Sequence, residues 1–401
     1  MNKQEVALDY VKREYLESGL LRHDEVSDQV QLRDDAGRWR NLITADINDM
    51  VCACSQMSGV CVSAKEVNAV LNSHNVPRVH PLRDYVNGCR AYTEEQGNWI
   101  GDYLAAQVKV EGDENEQQLW KEYFTRWFVG MIASWMKDEV VNHQVLVLIG
   151  RQGIYKTTWL EHLLPPELRA YGCRMANTSA LTKDDRLRLA EYGLIALDEI
   201  DAMSPRELNV MKSVITATDV SERAAYRYNK ERRLRVASFC ASGNKEEFLT
   251  DITGNRRWLP FKVESIQPPF YTTLPYEQIY AQARYLVEND YPYWIGPEEM
   301  ERLEEHNETF RAQEGEEQLL RVYFDIPAEG CGEFRTTAEI RAKLVDYGSI
   351  KQPLPLNKLG MILKKQGFKQ MRSGHGGKRG WLVYEIPIDD RTANRRIDAK
   401  G

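Results

Sequence analysis

A chain of 401 residues with 42% hydrophobic positions is long enough for two or three domains with real cores. Its formal charge of −7 excludes a protein that coats nucleic acid indiscriminately, and seven scattered cysteines, an odd number, exclude a secreted disulfide framework. No apolar signal core opens the sequence and no run of about 18 apolar residues occurs, so a cytoplasmic protein without a membrane partner is expected.

Residues 1–118 read as a mainly helical N-terminal region with one hairpin, in which QVQLR and RWRNL flank the turn Asp34-Asp35-Ala36-Gly37. Helices are expected at Asp46–Met57, Ser63–Ser73 and Leu82–Gln96. Cys52, Cys54 and Cys61 lack the spacing and the histidines of a zinc site and are expected on a buried helix face. The polar stretch EGDENEQQ marks a boundary. From Leu119 to Trp135, paired apolar residues recur every four positions, which predicts a helix with a broad aromatic core stripe.

Three short apolar runs follow, Val145–Ile149, Leu194–Leu197 and Val236–Ala241, each too short for a helix and each ending in polar residues. With helical segments between them they predict buried parallel strands of an α/β sheet spanning 119–270, with ligand chemistry at their carboxyl ends. After the first run comes Gly150-Arg-Gln-Gly153-Ile-Tyr-Lys156-Thr157-Thr158. A phosphate loop (P-loop) needs glycines so that backbone N–H groups can turn inward, a lysine against the β- and γ-phosphates, and a hydroxyl on Mg²⁺. Gly150, Gly153, Lys156, Thr157 and Thr158 are the candidate ATP-binding residues, although Tyr155 stands where a glycine usually precedes the lysine.

The second run leads into Asp198-Glu199, with Asp198 the candidate Mg²⁺ residue beside Thr157 and Glu199 the candidate general base. Asp201 reads as a helix cap ahead of Ser204-Pro205. The third run ends in Ser242-Gly243-Asn244, where the amide of Asn244 could position the attacking water. Arg256 and Arg257, at a turn soon after, suit charge stabilisation on a transferring phosphoryl group, often from a neighbouring subunit. Between the second and third runs, six basic residues and two tyrosines lie between Arg223 and Arg235. They predict a basic hairpin whose Arg227, Tyr228, Lys230 and Arg232 meet DNA.

Beyond Pro260 the pattern turns helical again, and residues 271–318 read as a helical lid and acidic linker, with nine acidic residues against two basic ones between Glu298 and Glu317, taken as solvated. Between Arg335 and Tyr384 the balance inverts to eleven Lys/Arg against two acids. Helices at Thr337–Leu344 and Leu356–Gln366 and a glycine-tipped basic hairpin after Phe368 predict a winged-helix domain over 319–388, followed by a tail, 389–401. Lys358, Lys364, Lys365, Lys369, Arg372, Lys378 and Arg379 are its candidate phosphate contacts.

Together GRQGIYKTT, LIALDEID, the hairpin with Arg223 and Tyr226, ASGNKEEFL, Lys183-Asp184-Asp185 and D-x-TGNRRW-L-P-F resemble the virulence-associated protein E family, most specifically over residues 80–270. That family resembles superfamily 3 helicases of the AAA+ class from phages and mobile elements. The resemblance implies a ring, a hexamer by that likeness, with ATP at subunit interfaces and the hairpin facing a channel. It carries over Lys156, Thr157, Asp198, Glu199 and Asn244 as nucleotide site and Arg256 or Arg257 as the trans-acting arginine. The expected function is an ATP-driven DNA helicase in mobile-element replication, with a separate primase as a candidate partner that the sequence does not decide. An ATP-switched DNA-binding protein without unwinding, and a small-molecule kinase with no use for the basic C-terminal domain, are the rivals.

Overall fold

The computed structural model describes residues 2–175, 182–221, 232–250, 255–271, 273–312, 315–328, 332–348, 353–373 and 377–387. Two compact units result: Met1–Glu246 with Arg257–Leu303, and Glu247–Arg256 with Glu304–Gly401.

The first unit begins with α1 (Lys3–Val11), β1 (Leu21–Asp24), β2 (Gln29–Arg33), β3 (Trp39–Asn41), α2 (Thr44–Ser58), α3 (Ala64–Leu71), β4 (Arg78–Val79) and α4 (Pro81–Gly88). The expected hairpin is present, with Arg33 opposite Trp39. It belongs to a four-stranded sheet ordered β3-β2-β1-β4, so this region carries more strand than its sequence suggested. Strands β1 and β4, added to that hairpin, pair in parallel across more than fifty residues, a partnership no local pattern announces. Of the three clustered cysteines only Cys54 is buried, and Cys52 and Cys61 are exposed. The helix expected to run to Gln96 stops at Gly88, where Cys89 turns extended.

Next come β5 (Val108–Val110) and α5 (Glu114–Met136), which is capped by Asp113 and therefore starts inside the stretch read as a boundary. Its aromatic stripe is core, as the spacing predicts: Trp120, Trp127 and Trp135 are fully buried. Their indoles donate to the carbonyls of Ala105 (2.9 Å), Phe239 (3.0 Å) and Gly193 (3.3 Å), so the polar edge of each ring is satisfied inside the core.

The helix packs against a six-stranded sheet built from β6 (Val145–Ile149), β7 (Gly172–Met175), β8 (Leu194–Leu197), β11 (Ser238–Gly243) and β12 (Trp258–Ile266) together with β5, in the order β5-β12-β6-β11-β8-β7. The strands are interleaved with α6 (Lys156–Glu161), α7 (Lys183–Glu191), α8 (Pro205–Ile215) and a two-stranded ribbon of β9 (Asp219–Val220) and β10 (Arg233–Leu234). From β12 to β7 every pairing is parallel, and only β5 runs antiparallel. The three apolar runs are therefore central strands, although the third begins at Ser238 rather than Val236. The segment after Trp258, expected to turn helical beyond Pro260, is instead β12. Pro260 is tolerated because β5 joins only at Val263–Ile266, leaving β12 with a single neighbour, β6, where the proline lacks its N–H. The helix α9 (Tyr276–Glu288) follows, and α10 (Pro297–Glu308) runs to the end of this unit and beyond it.

The second unit contains α11 (Gly315–Tyr323), β13 (Phe324–Asp325), β14 (Glu333–Arg335), α12 (Thr337–Gly348), α13 (Leu356–Lys365), β15 (Lys369–Arg372) and β16 (Arg379–Glu385). Strand β16 pairs antiparallel with β13, β14 and β15. Ile340, Leu344, Leu359, Ile362, Leu363 and Trp381 close the core beneath the two helices. Glu317, expected in a solvated linker, is buried, and both its oxygens accept from Arg311, which is buried as well. Among the described residues no helix is long and apolar enough to cross a membrane.

Candidate active site

Strand β6 is buried along its whole length and delivers the chain to Gly150 at its carboxyl end. A Cβ at Gly150 would stand 2.7 Å from the carbonyl oxygen of Val263, so only glycine passes this point. Gly153 then turns through φ +85°, and Tyr155 through φ +68°, before α6 begins. A left-handed tyrosine costs about 1–2 kcal/mol that a glycine would not. The departure noted in the sequence thus falls at a residue whose backbone is that of a glycine.

Lys156, only 7% exposed, turns back into the loop. Its ammonium donates to the carbonyls of Gly150 and Arg151, each at 2.7 Å, and to Asn244 Oδ1 at 3.2 Å. Burial pulls its pKa below the ordinary lysine value, while Asp201 and Asp198 push it back up. Beside it, Thr157 Oγ1 donates to Asp198 Oδ1 (3.2 Å) and lies 3.0 Å from Ser242 Oγ, which itself donates to Asp198 Oδ1 at 2.8 Å. Mg²⁺ takes oxygen ligands at about 2.1 Å in octahedral geometry, which puts neighbouring ligands about 2.9 Å apart. The triangle of Thr157, Asp198 and Ser242 oxygens has the donor type and the spacing that such an ion requires. The sequence reading named the first two; Ser242 was missed, and its only signal was a hydroxyl closing an apolar run.

These groups line a cleft of about 370 Å³ at the carboxyl ends of β6, β8 and β11, together with Gln152, Gly153, Thr158, Glu199 and Gly243. Glu199 is an exposed residue of this wall and sits at φ +51°, a second left-handed non-glycine in one site. Asp201 is not the expected helix cap, since Ser204 caps α8 with Glu207 in a capping box. Its carboxylate instead accepts from the backbone N–H groups of Asn244 (3.0 Å) and Lys245 (3.2 Å), fixing the turn that presents Asn244. A Cβ at Gly243 would come within 2.8 Å of that carboxylate.

The remaining candidates lie elsewhere. Arg257 precedes Trp258, which pairs with Val145 at the start of β6, so it sits at the amino ends of the strands, opposite the cleft in the same chain. Arg256, its neighbour, is exposed and belongs to the second unit. Arg223, Tyr226, Arg227, Tyr228 and Lys230 lie outside the described residues. Arg232 pairs with Asp219 at 3.0 Å. In the second unit Lys364, Lys369, Arg372, Lys378 and Arg379 are exposed, whereas the ammonium of Lys365 is paired with Glu308.

Fold and cleft thus define an α/β protein with a lysine-centred polar site at a parallel sheet's carboxyl edge. The chain belongs to the virulence-associated protein E-like domain family, whose model matches residues 92–312, more than half of its length. No curated protein matches it in sequence. Among solved structures it is similar to the apo structure of the NrS-1 C-terminal region (305–718), at 12% identity and a TM-score of 0.49, covering 95% of this chain and 100% of that one. A second form of the same region aligns at 12% identity and a TM-score of 0.46, covering 95% and 99%.

Proposed function

We propose that this protein is an ATP-driven motor on DNA, a P-loop ATPase of the AAA+ class related to superfamily 3 helicases, acting in replication of a phage or mobile element. The observation that carries the proposal is the convergence of Lys156, Thr157, Asp198, Ser242 and Asn244 from three separate strand ends on one cleft. Family membership, residues 92–312, supports the same reading.

In this reading Lys156 exchanges its two loop carbonyls for the β- and γ-phosphate oxygens of ATP, a swap of neutral acceptors for charged ones. Thr157, Asp198 and Ser242 would hold Mg²⁺, which would supply charge neutralisation to the phosphates. Glu199 takes the proton of the attacking water, and Asn244, fixed through Asp201, orients that water. Arg256 or Arg257 acts on a neighbouring protomer's nucleotide, because Arg257 lies at the opposite edge of the sheet from its own cleft. That geometry favours a ring, hexameric by analogy. The basic 223–235 segment and the winged-helix fold of α12, α13, β15 and β16 engage single-stranded or forked DNA. A separate primase would complete the system.

The test is ATP hydrolysis by the purified chain with no DNA, single-stranded DNA or a forked duplex, beside Lys156→Ala. Turnover that is DNA-stimulated, lost in Lys156→Ala by about 100-fold or more, and accompanied by strand separation is expected. Hydrolysis without strand separation would leave the ATP-switched DNA-binding protein as the better description. Undiminished turnover in Lys156→Ala would remove the site assignment.

A further inference from the structure

The cleft around Lys156 accounts for phosphates and metal, but offers no flat apolar wall for a base. Of its eleven lining residues only Tyr155 is aromatic. Tyr155 is 40% exposed, and its ring stands 6.4 Å from Phe270 at 81°. Phe270 also meets His162 at 5.6 Å and 86°, yet remains 68% exposed, and Tyr271 beside it is 88% exposed. Tyr155 and Phe270, in edge-to-face contact, are therefore both exposed beside a nucleotide-sized site, with exposed Tyr271 next in sequence; isolated exposed rings would be unremarkable, but touching ones suit a binding surface.

This shelf is held in place from both sides. The loop that carries Phe270 leaves β12 with Gln267 N–H donating to the Gln107 carbonyl at 2.9 Å. It enters α9 with the Tyr276 hydroxyl donating to the His162 carbonyl (2.7 Å) and the Tyr280 hydroxyl to the Leu163 carbonyl (3.0 Å), so α9 is pinned to the end of the helix that begins with Lys156. Tyr155 itself stays at φ +68° immediately before that lysine, which aims its ring from the phosphate cleft toward Phe270.

We propose that Tyr155 and Phe270 form the base-stacking subsite of the nucleotide site, taking a purine ring while the phosphates lie on Lys156. This rests on the nucleotide reading above. Only a molecule with both a polyphosphate and an aromatic base spans the two surfaces that Tyr155 joins, which selects a nucleotide over a nucleic-acid base arriving alone. Stacking discriminates weakly among bases, since every base has a π-face, so adenine and guanine nucleotides are expected to bind with similar affinity.

The test measures calorimetric binding of ADP and of inorganic pyrophosphate, with Mg²⁺, to the full chain as wild type, Phe270→Ala and Phe270→Trp. ADP is expected to bind the wild type more tightly than pyrophosphate. Phe270→Ala is expected to weaken ADP about tenfold and leave pyrophosphate unchanged, with Phe270→Trp restoring ADP. An unchanged ADP affinity in Phe270→Ala, or an equal loss for both ligands, would overturn the subsite while leaving the phosphate site standing. Single-stranded DNA binding is measured on the same variants, and its loss in Phe270→Ala with unchanged ADP binding would overturn the subsite in favour of a DNA contact. A wild type that binds neither ligand would defeat the nucleotide reading itself.

Discussion

Replacing Arg235 by methionine probes how the segment between β10 and β11 is rooted in the sheet. Arg235 is 1% exposed and donates to five carbonyls: Ala237 (2.9 Å), Asn142 (3.1 Å), Val214 (3.2 Å), Ala217 (3.3 Å) and, closest, Ile215. None of these partners is a carboxylate. Burial pulls the guanidinium down to about 9, which leaves it charged at neutral pH. Methionine fills similar length without charge, so the desolvation cost of the cation, several kcal/mol, is recovered. Against that, the buried carbonyls of Ile215, Asn142 and Ala237 lose a charge-assisted donor, at about 1–3 kcal/mol each. The net expectation is a loss of about 3 kcal/mol. Trp120, Trp127, Trp135, Trp159 and Trp258 are all buried in the first unit and Trp381 in the second, so tryptophan fluorescence in urea reports mainly on the first unit. With a urea slope of about 3 kcal/mol/M the midpoint should fall by about 1 M. A fall below about 0.3 M would mean that the five-carbonyl anchor contributes little and that the argument is wrong.

Ser242→Ala removes one oxygen of the triangle with Thr157 and Asp198, and should raise the Mg²⁺ concentration for half-maximal ATP hydrolysis several-fold; an unchanged Mg²⁺ dependence would exclude Ser242 from the ion site. Gly243→Ala places a methyl group 2.8 Å from Asp201 Oδ1 and from Ile149 Cδ1, so it should cost about 1–3 kcal/mol of stability and depress turnover by disturbing Asn244. Wild-type urea midpoint and turnover together would refute that coupling. Glu308 is opposed by burial, but hydrogen bonds from Lys365 and Arg311 hold its carboxyl below the ordinary range. A depressed carboxylate stabilises above its unfolded value, about 4.3, and that contribution is lost as pH falls through the folded value. The protection of α13 amides against hydrogen exchange, taken relative to the intrinsic rate at each pH, should therefore fall on acidification below about pH 4 in the wild type, and Glu308→Gln should flatten that dependence; identical profiles would show that the pair does not stabilise the helix.

Much of the site was legible because its signals are local. Gly150, Gly153, Lys156 and Thr157 announce a strand-to-helix turn within eight residues, and Asp198-Glu199 closes an apolar run short enough to be a buried strand. Periodicity likewise located α5 and the paired helices and strands of the second unit, since a repeat of about 3.6 or of 2 is written into consecutive residues. Where the reading failed, the deciding neighbour was far away. Residues beyond Pro260 read as helical, and only the late arrival of β5 along β12 lets a strand carry the proline there. Asp201 had the position of a cap, but Ser204 and Glu207 had already satisfied the helix.

The sequence by itself determined the α/β class, the central strands and, Ser242 apart, the candidate residues of the cleft, because these follow from hydrophobic runs and from the polar residues and glycines that end them. Only the tertiary structure decided that Ser242, 44 residues from Asp198 and 85 from Thr157, completes a triangle with both, that Arg257 lies at the edge of the sheet opposite its own cleft, and that Phe270 stands beside Tyr155. The physical reason is strand order. Placing β11 beside β6 and β12 on its other side brings chain ends together that no local propensity relates.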